Sequence, residues 1–321
     1  MASVEKYDDA QFDDLYAALL RDDDLDVSAD CWRELFRCRP ESGQTHGGYL
    51  LRDGRQIVGV MGTLFGERRL GEATRPFCSL HTWIVRPEHR GHSLSLLRPA
   101  LKLRHHTLLD FSPTEPVRRL LARTGFQPLD AALRFLLPLP GRPSAVTFLT
   151  DRAQLRTTLS DEQKRLHDDH RLPHLRHVLC RTPSGDCYVI YSRVTHWRLD
   201  YCHIHYASDW DVFAAHSGPV RRFVARSESV RLVACNDRQL PPHRLPLSCR
   251  TRCTNGQMFR SKVVRPAEID TLYSDVALTN MTTMQSWKTI ARQWAASAKR
   301  LRSRASTGSD IRERSLASAA R

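Results

Sequence analysis

Apolar positions recur at helical spacing in two stretches near the start, residues 9–23 (DAQFDDLYAALLRDD) and 28–38 (SADCWRELFRC). The second opens with Ser28, Asp30 and Glu34, placed as a helix start favours them. The period then shortens to two. Residues 47–71 (GGYLLRDGRQIVGVMGTLFGERRLG) read as two strands joined at Asp53-Gly54, a hairpin-type turn, and residues 77–85 (FCSLHTWIV) as a third strand. After Gly91 the pattern is helical again, with Pro99 expected to kink or shorten the helix. Residues 107–112 (TLLDFS) form another strand. Residues 114–125 form another helix, with Pro116 in its first turn and Gly125 at its stop, and residues 132–140 (ALRFLLPLP) form the strand that closes the unit.

Pro, Gly and Ser concentrate at residues 138–144 (PLPGRPS), the composition of a linker. The expected organisation is a first domain over 1–139, a linker over 140–145, a second domain over 146–283 and a basic tail over 284–321. The second domain repeats the order of the first in outline: a helix at 151–170, strands at 176–182, 186–194 and 199–207 around Ser184-Gly185, a helix at 211–226 and a strand at 229–235. Residue identity between the halves is low, so this is a likeness of element order and not a sequence repeat. The fold class is a mixed α/β (α+β) sheet protein, duplicated in arrangement.

Composition narrows the class. The 321 residues are 41% hydrophobic, enough for a core in each of two domains, and no stretch approaches the roughly 20 apolar residues of a membrane helix. The start (MASVEKYDDAQFDD) is acidic where a signal peptide would be basic and then apolar, which points to the cytoplasm. Nine scattered cysteines without a Cys-x-x-Cys pair fit reduced thiols. The net charge of +14 is unevenly spread: from Gln285 onward nine Lys/Arg face two Asp/Glu, a net +7, so half the excess lies in a Ser/Ala/Arg-rich tail. There Trp287, Ile290, Trp294, Ala298 and Leu301 recur at helical spacing beside Lys288, Arg292, Lys299 and Arg302. Such a tail is either a solvated, partly disordered segment or a basic amphipathic helix able to lie on an anionic membrane or a nucleic acid.

The candidate chemistry centres on residues 85–101 (VRPEHRGHSLSLLRPAL), where a strand passes into a helix through an Arg-Gly turn. A helix start carries unpaired N–H groups and the positive end of the helix dipole, so such a turn is a seat for phosphate. With Val85, Pro87, Glu88, Arg90 and Gly91 here, Gly125-Phe126 later, and the element order above, the chain resembles the GCN5-related N-acetyltransferase (GNAT) family over residues 5–137. The resemblance implies that acetyl-CoA or another acyl-CoA lies with its pyrophosphate on Arg90, Gly91, His92, Ser93 and Ser95. Its pantetheine arm would then run beside Trp83, Ile84 and Val85. Four positions depart from the family pattern. Ser93 and Ser95 stand where glycine or alanine is usual, each bringing a hydroxyl that could donate to phosphate; Leu121 stands at the family's general-acid tyrosine, and Thr114 at a common asparagine.

Acyl transfer to an amine needs a group to take the amine's proton, and histidine suits this near neutral pH. His81 lies nine residues before Arg90, matching a catalytic histidine of serotonin N-acetyltransferase, and strand alternation puts Ser79, His81 and Trp83 on one face. The other reading of His81 is a partly buried ring bonded to a neighbouring carbonyl. Backbone N–H groups of the strand would stabilise the oxyanion. Cys78 is a buried hydrophobe more readily than a nucleophile. His170, His174 and His177 approach metal-site spacing but Pro173 interrupts them, and His203 with His205 is too few, so no metal is expected. Arg260, Asp270 and Tyr273 read as ordinary surface and cap residues. In the second half Asp209 and Asp211 occupy the place of the phosphate seat, so that half is expected to cover or support the first.

These readings lead to an N-acyltransferase passing an acyl group from acyl-CoA to a small-molecule or peptide amine. The alternatives are a Fem-like aminoacyl transferase using aminoacyl-tRNA and a non-catalytic acyl-CoA-binding scaffold.

Overall fold

The computed structural model describes residues 2–21, 27–38, 46–137, 145–196, 199–241, 245–252 and 256–281. The tail from Gln285 and all but one residue of the 140–145 linker lie outside the described residues.

The first half opens with a strand that the sequence pattern did not signal, β1 (Ala2–Tyr7), paired antiparallel to β2 (Gly48–Asp53) from Ala2↔Asp53 to Tyr7↔Gly48. A helical run over residues 9–20 includes the turn α1 (Phe12–Leu15), and α2 (Ala29–Phe36) begins where the Ser28 hydroxyl accepts the Cys31 N–H. The hairpin of β2 and β3 (Gln56–Leu70) turns at Gly54, whose φ of +59° is the left-handed conformation that glycine adopts freely. There follow β4 (Ala73–Val85), α3 (Ser93–Leu101, with Pro99 inside), β5 (Thr107–Asp110), α4 (Glu115–Arg123), β6 (Gln127–Leu129) and β7 (Leu133–Leu136). The second half contains β8 (Thr147–Leu149), α5 (Arg152–Thr158), α6 (Asp161–Asp169), β9 (Leu175–Thr182), β10 (Gly185–His196), β11 (Leu199–Ala207), α7 (Trp210–Ala215), α8 (Ser217–Ser227), β12 (Val233–Asn236), β13 (Ser248–Thr251), β14 (Gln257–Arg260) and α9 (Asp275–Leu278).

Two seven-stranded mixed sheets result, ordered β1-β2-β3-β4-β5-β14-β6 and β8-β9-β10-β11-β12-β7-β13. Position by position the two are one topology. In each the single parallel pair joins the fourth and fifth positions, β4 with β5 and β11 with β12. Each also carries a bulge on its fourth strand, shown by the register steps Val60↔Ile84 to Gly62↔His81 on β4 and Ile190↔Tyr206 to Tyr191↔Ile204 on β11. The sixth position is exchanged: β7 comes from the first half into the second sheet, and β14 from the second half into the first. The strand expected to close the first unit therefore completes the other sheet, and sheet membership does not follow the boundary expected at residue 139. The reason is pairing: the β5 and β6 edges are bridged by β14, which leaves β7 free to pair on both sides with β12 and β13.

Each sheet is covered on both faces. In the first, α1 and α2 pack Phe12, Trp32, Leu35 and Phe36 onto Leu50, Val60 and Leu64, while α3 and α4 pack Leu96, Leu97 and Leu121 onto Val58, Met61, Cys78 and Leu80. In the second, α5 and α6 cover one face and α7 and α8 the other. The segment before α9 ties the halves together. Asp270 makes two hydrogen bonds to Arg68, at 2.6 and 2.9 Å, and the same guanidinium lies 4.5 Å from the Tyr273 ring centre. Tyr273 also bonds Asp169 and fills the space over Gly66, where a Cβ would come within 2.7 Å of its ring. Asp270 and Tyr273, expected as surface residues, are thus buried.

Candidate functional site

The site grows from the place where β4 and β5 part. They pair from Phe77↔Thr107 to Leu80↔Asp110; β5 stops there, and β4 runs on to Val85. Between the diverging ends lies a cavity of about 90 Å³, lined by Leu80 to Trp83 on one side and by Asp110, Ser112 and Thr114 on the other. Thr82 is the strained residue of the bulge, with φ of +48°.

The bulge reverses the alternation along β4. Cys78 and Leu80 pack on the α3 and α4 side, where Trp83 and Val85 rejoin them, while Ile84 packs on the α1 and α2 side. His81 points to that second side, its ring 5.0 Å from Phe36. His81 and Trp83, expected on one face, therefore lie on opposite faces, because the extra residue at Thr82 shifts the period by one. His81 is 3% exposed, its Nδ1 is 2.9 Å from the Thr82 hydroxyl, and its ring occupies the room that Gly62 leaves, where a Cβ would come within 2.0 Å of it. Trp83 turns toward the cavity. Its indole N–H is buried and has no acceptor among the described residues.

Asp110 was not singled out in the sequence; its only signal is a carboxylate at the end of an apolar strand. It is 7% exposed, and burial together with the neighbouring Asp275 holds its carboxyl well above the usual carboxylate range. Its Oδ1 accepts the Ser112 N–H at 3.2 Å, and the Ser112 hydroxyl donates to Asp275.

The turn after β4 is wound more tightly than a phosphate cradle. Pro87–His92 form a 3-10 helix in which the His89 N–H bonds the Arg86 carbonyl and the Ser93 N–H bonds Arg90. Gly91 is not left-handed, and a Cβ on it would meet nothing within 4 Å. The Ser95 hydroxyl, expected to be free for phosphate, donates to the His92 carbonyl at 2.6 Å. No side chain caps either the 3-10 turn or α3, and Arg90, Gly91 and His92 are exposed while Ser93, Ile84 and Val85 are half-buried. The turn thus presents cationic side chains rather than a nest of N–H groups.

The remaining candidates have structural partners. Leu121 is fully buried in the core under α4, and burial pushes the Cys78 thiol up, out of the nucleophilic range. His170 and His174 bond the Leu166 and Ala277 carbonyls, and His177 bonds Tyr188 and the His170 carbonyl. The rings of His203 and His205 lie tilted to one another with centres 4.5 Å apart, and burial lowers the basicity of both. Among the described residues no group of three or more His, Cys, Asp or Glu could hold a metal ion, and no helix is long and apolar enough to cross a membrane.

No family model and no curated protein matches the sequence. Among solved structures the chain is similar to a GCN5-related N-acetyltransferase from Anabaena variabilis, with a TM-score of 0.53 and 12% identity over 81% of this chain and 72% of that one. It is similar also to a GCN5-related N-acetyltransferase from Kribbella flavida, with a TM-score of 0.50 and 16% identity over 81% and 70% of the two chains. The chain has the GNAT-like fold that the sequence resemblance implied.

Proposed function

We propose that this GNAT-fold chain is an N-acyltransferase that uses acyl-coenzyme A as donor and an amine as acceptor, with the acyl end received where β4 and β5 diverge. The observation that carries the reading is the unpartnered Trp83 indole N–H on the wall of a cavity between two parting strands. A buried donor without an acceptor is costly, and a carbonyl of an acyl-pantetheine arm would satisfy it. Ile84 and Val85 supply the apolar strand edge beside that arm. Arg90 supplies charge for phosphate at the turn, and His89 and His92 supply ring N–H groups, as side-chain contacts in place of the wound-up backbone. His81, fixed between Phe36 and Gly62 and bonded to Thr82, supports the bulge that aims Trp83.

A ligand that binds only the native state raises its stability by about 2.7 kcal/mol at a hundredfold excess over Kd. Thermal unfolding with acetyl-CoA, longer acyl-CoAs and tRNA is the test. Acyl-CoA is expected to raise the melting temperature and tRNA to leave it unchanged. A shift with tRNA alone would favour aminoacyl transfer from tRNA, a shift with acyl-CoA but no thiol release with any amine would favour an acyl-CoA-binding scaffold, and no shift with any of them would contradict the acyl-CoA reading.

A further inference from the structure

Asp110 has no role in the reading above, yet it faces the same cavity as Trp83. Among the described residues no Arg or Lys pairs with it. The residues opposite it are Met258 on β14 and Leu80 on β4; His81 lines the same cavity, and among the described residues Asp275 is the charged group that acts on it. Asp275 is 3% exposed and sits in α9, the segment that follows the second sheet; its Oδ1 accepts the Val276 N–H at 2.9 Å and its other oxygen takes the Ser112 hydroxyl. Two buried carboxyls thus share one serine, whose N–H serves Asp110 and whose O–H serves Asp275. An asparagine at 110 would keep the bond to Ser112 without the cost of burying an ionisable group, so the carboxyl is not needed for packing.

We propose that Asp110 is the catalytic residue that takes the proton from the acceptor amine, and that Asp275, brought from beyond the second sheet, is a positioning residue that sets its basicity through Ser112. The proposal rests on the acyl-transfer reading. The acceptor enters as an ammonium ion, whose charge suits a carboxyl pair holding a negative charge. One N–H bond breaks, its proton goes to the Asp110 carboxylate and the electron pair remains on nitrogen. That pair forms the C–N bond at the thioester carbon, the C–S bond breaks with its electrons on sulphur, and the leaving thiolate takes a second proton from the nitrogen. Asp110 returns its proton to water, so ammonium and thioester give amide, thiol and one proton.

The test uses the full chain, acetyl-CoA and a panel of polyamines, amino sugars and lysine peptides followed by thiol release. Asp110→Asn is expected to slow turnover by about a hundredfold to ten-thousandfold while keeping acetyl-CoA affinity and the melting temperature, and to remove the acidic limb of the pH–rate profile. Asp275→Asn removes a like charge, so the Asp110 carboxyl ionises at lower pH and the limb moves to lower pH. A wild-type rate and profile in Asp110→Asn, or a limb lost in His81→Ala instead, would overturn the proposal. NMR of carboxyl-labelled aspartate reads the same claim without turnover: one resonance, absent in Asp110→Asn, should titrate above the ordinary carboxylate range and move down in Asp275→Asn. Titration in the ordinary range would overturn the proposal even if acetyl-CoA binds. Failure of acetyl-CoA to bind the wild-type chain in calorimetry is the distinct failure of the acyl-transfer reading.

Discussion

Each of the two sheets passes from its fourth strand into a helix at the same topological place, and the two connections carry opposite chemistry. After β4 the helix start has no side-chain cap and shows Arg90 and His92 to solvent, with His89 half-buried beside them, against a single acid, Glu88. After β11, Asp209 caps α7 with its own carboxylate, accepting the Asp211 and Val212 N–H groups at 2.9 Å each. The first helix start carries no side-chain cap, and the second is neutralised from within by its own carboxylate. The contrast continues at the parting strands. β5 ends on Asp110, a buried carboxyl without a counter-ion among the described residues, whereas β12 ends on Asn236, a buried amide that bonds Gln239 at 3.2 Å. On the bulged strands, His205 is bonded through both nitrogens, to Ser192 and Thr271. On β4, by contrast, the Trp83 indole N–H has no acceptor among the described residues. Topology alone therefore assigns chemistry to neither half.

The largest effect that would break the comparison concerns its premise, that the sheets are interleaved. Residues 1–139 expressed alone lack β14, which bridges β5 and β6, and carry β7 without a partner. That piece is expected to show no cooperative unfolding transition, and co-expression with residues 140–321 to restore one. A stably folded first piece would mean that the halves are independent. A smaller effect sharpens the tie between them. Arg68→Ala leaves Asp270 buried and unpaired and is expected to cost about 3–5 kcal/mol in chemical denaturation. Replacing both partners by Met and Leu should recover most of that loss, and equal destabilisation in the single and double variants would contradict a pairing role.

Much of this frame was legible in the sequence and some was not, for physical reasons. The β2–β3 hairpin at Asp53-Gly54, α3 and α4 are local elements whose period and turn residues lie within a few positions of one another. β1 was missed because only Tyr7 of its six residues is buried, so no clean alternation marks it. The strand exchange was missed because pairing with β14 joins residues about 150 positions apart, such as Leu108 and Arg260. The bulge at Thr82 was hidden because a β-branched residue gives no sign of a left-handed backbone, and with it went the true orientation of His81. The pairing of Ser112 with Asp275 spans 163 positions, which no motif spacing could reveal.

The central claim is that one turn of two holds the ligand. Calorimetric titration of acetyl-CoA into the wild-type chain and into Arg90→Glu tests it directly. The account predicts one equivalent bound per chain, and for Arg90→Glu a loss of at least about tenfold in affinity, roughly 1.4 kcal/mol, at an unchanged melting temperature. Two equivalents per chain, or unchanged affinity in Arg90→Glu, would contradict it.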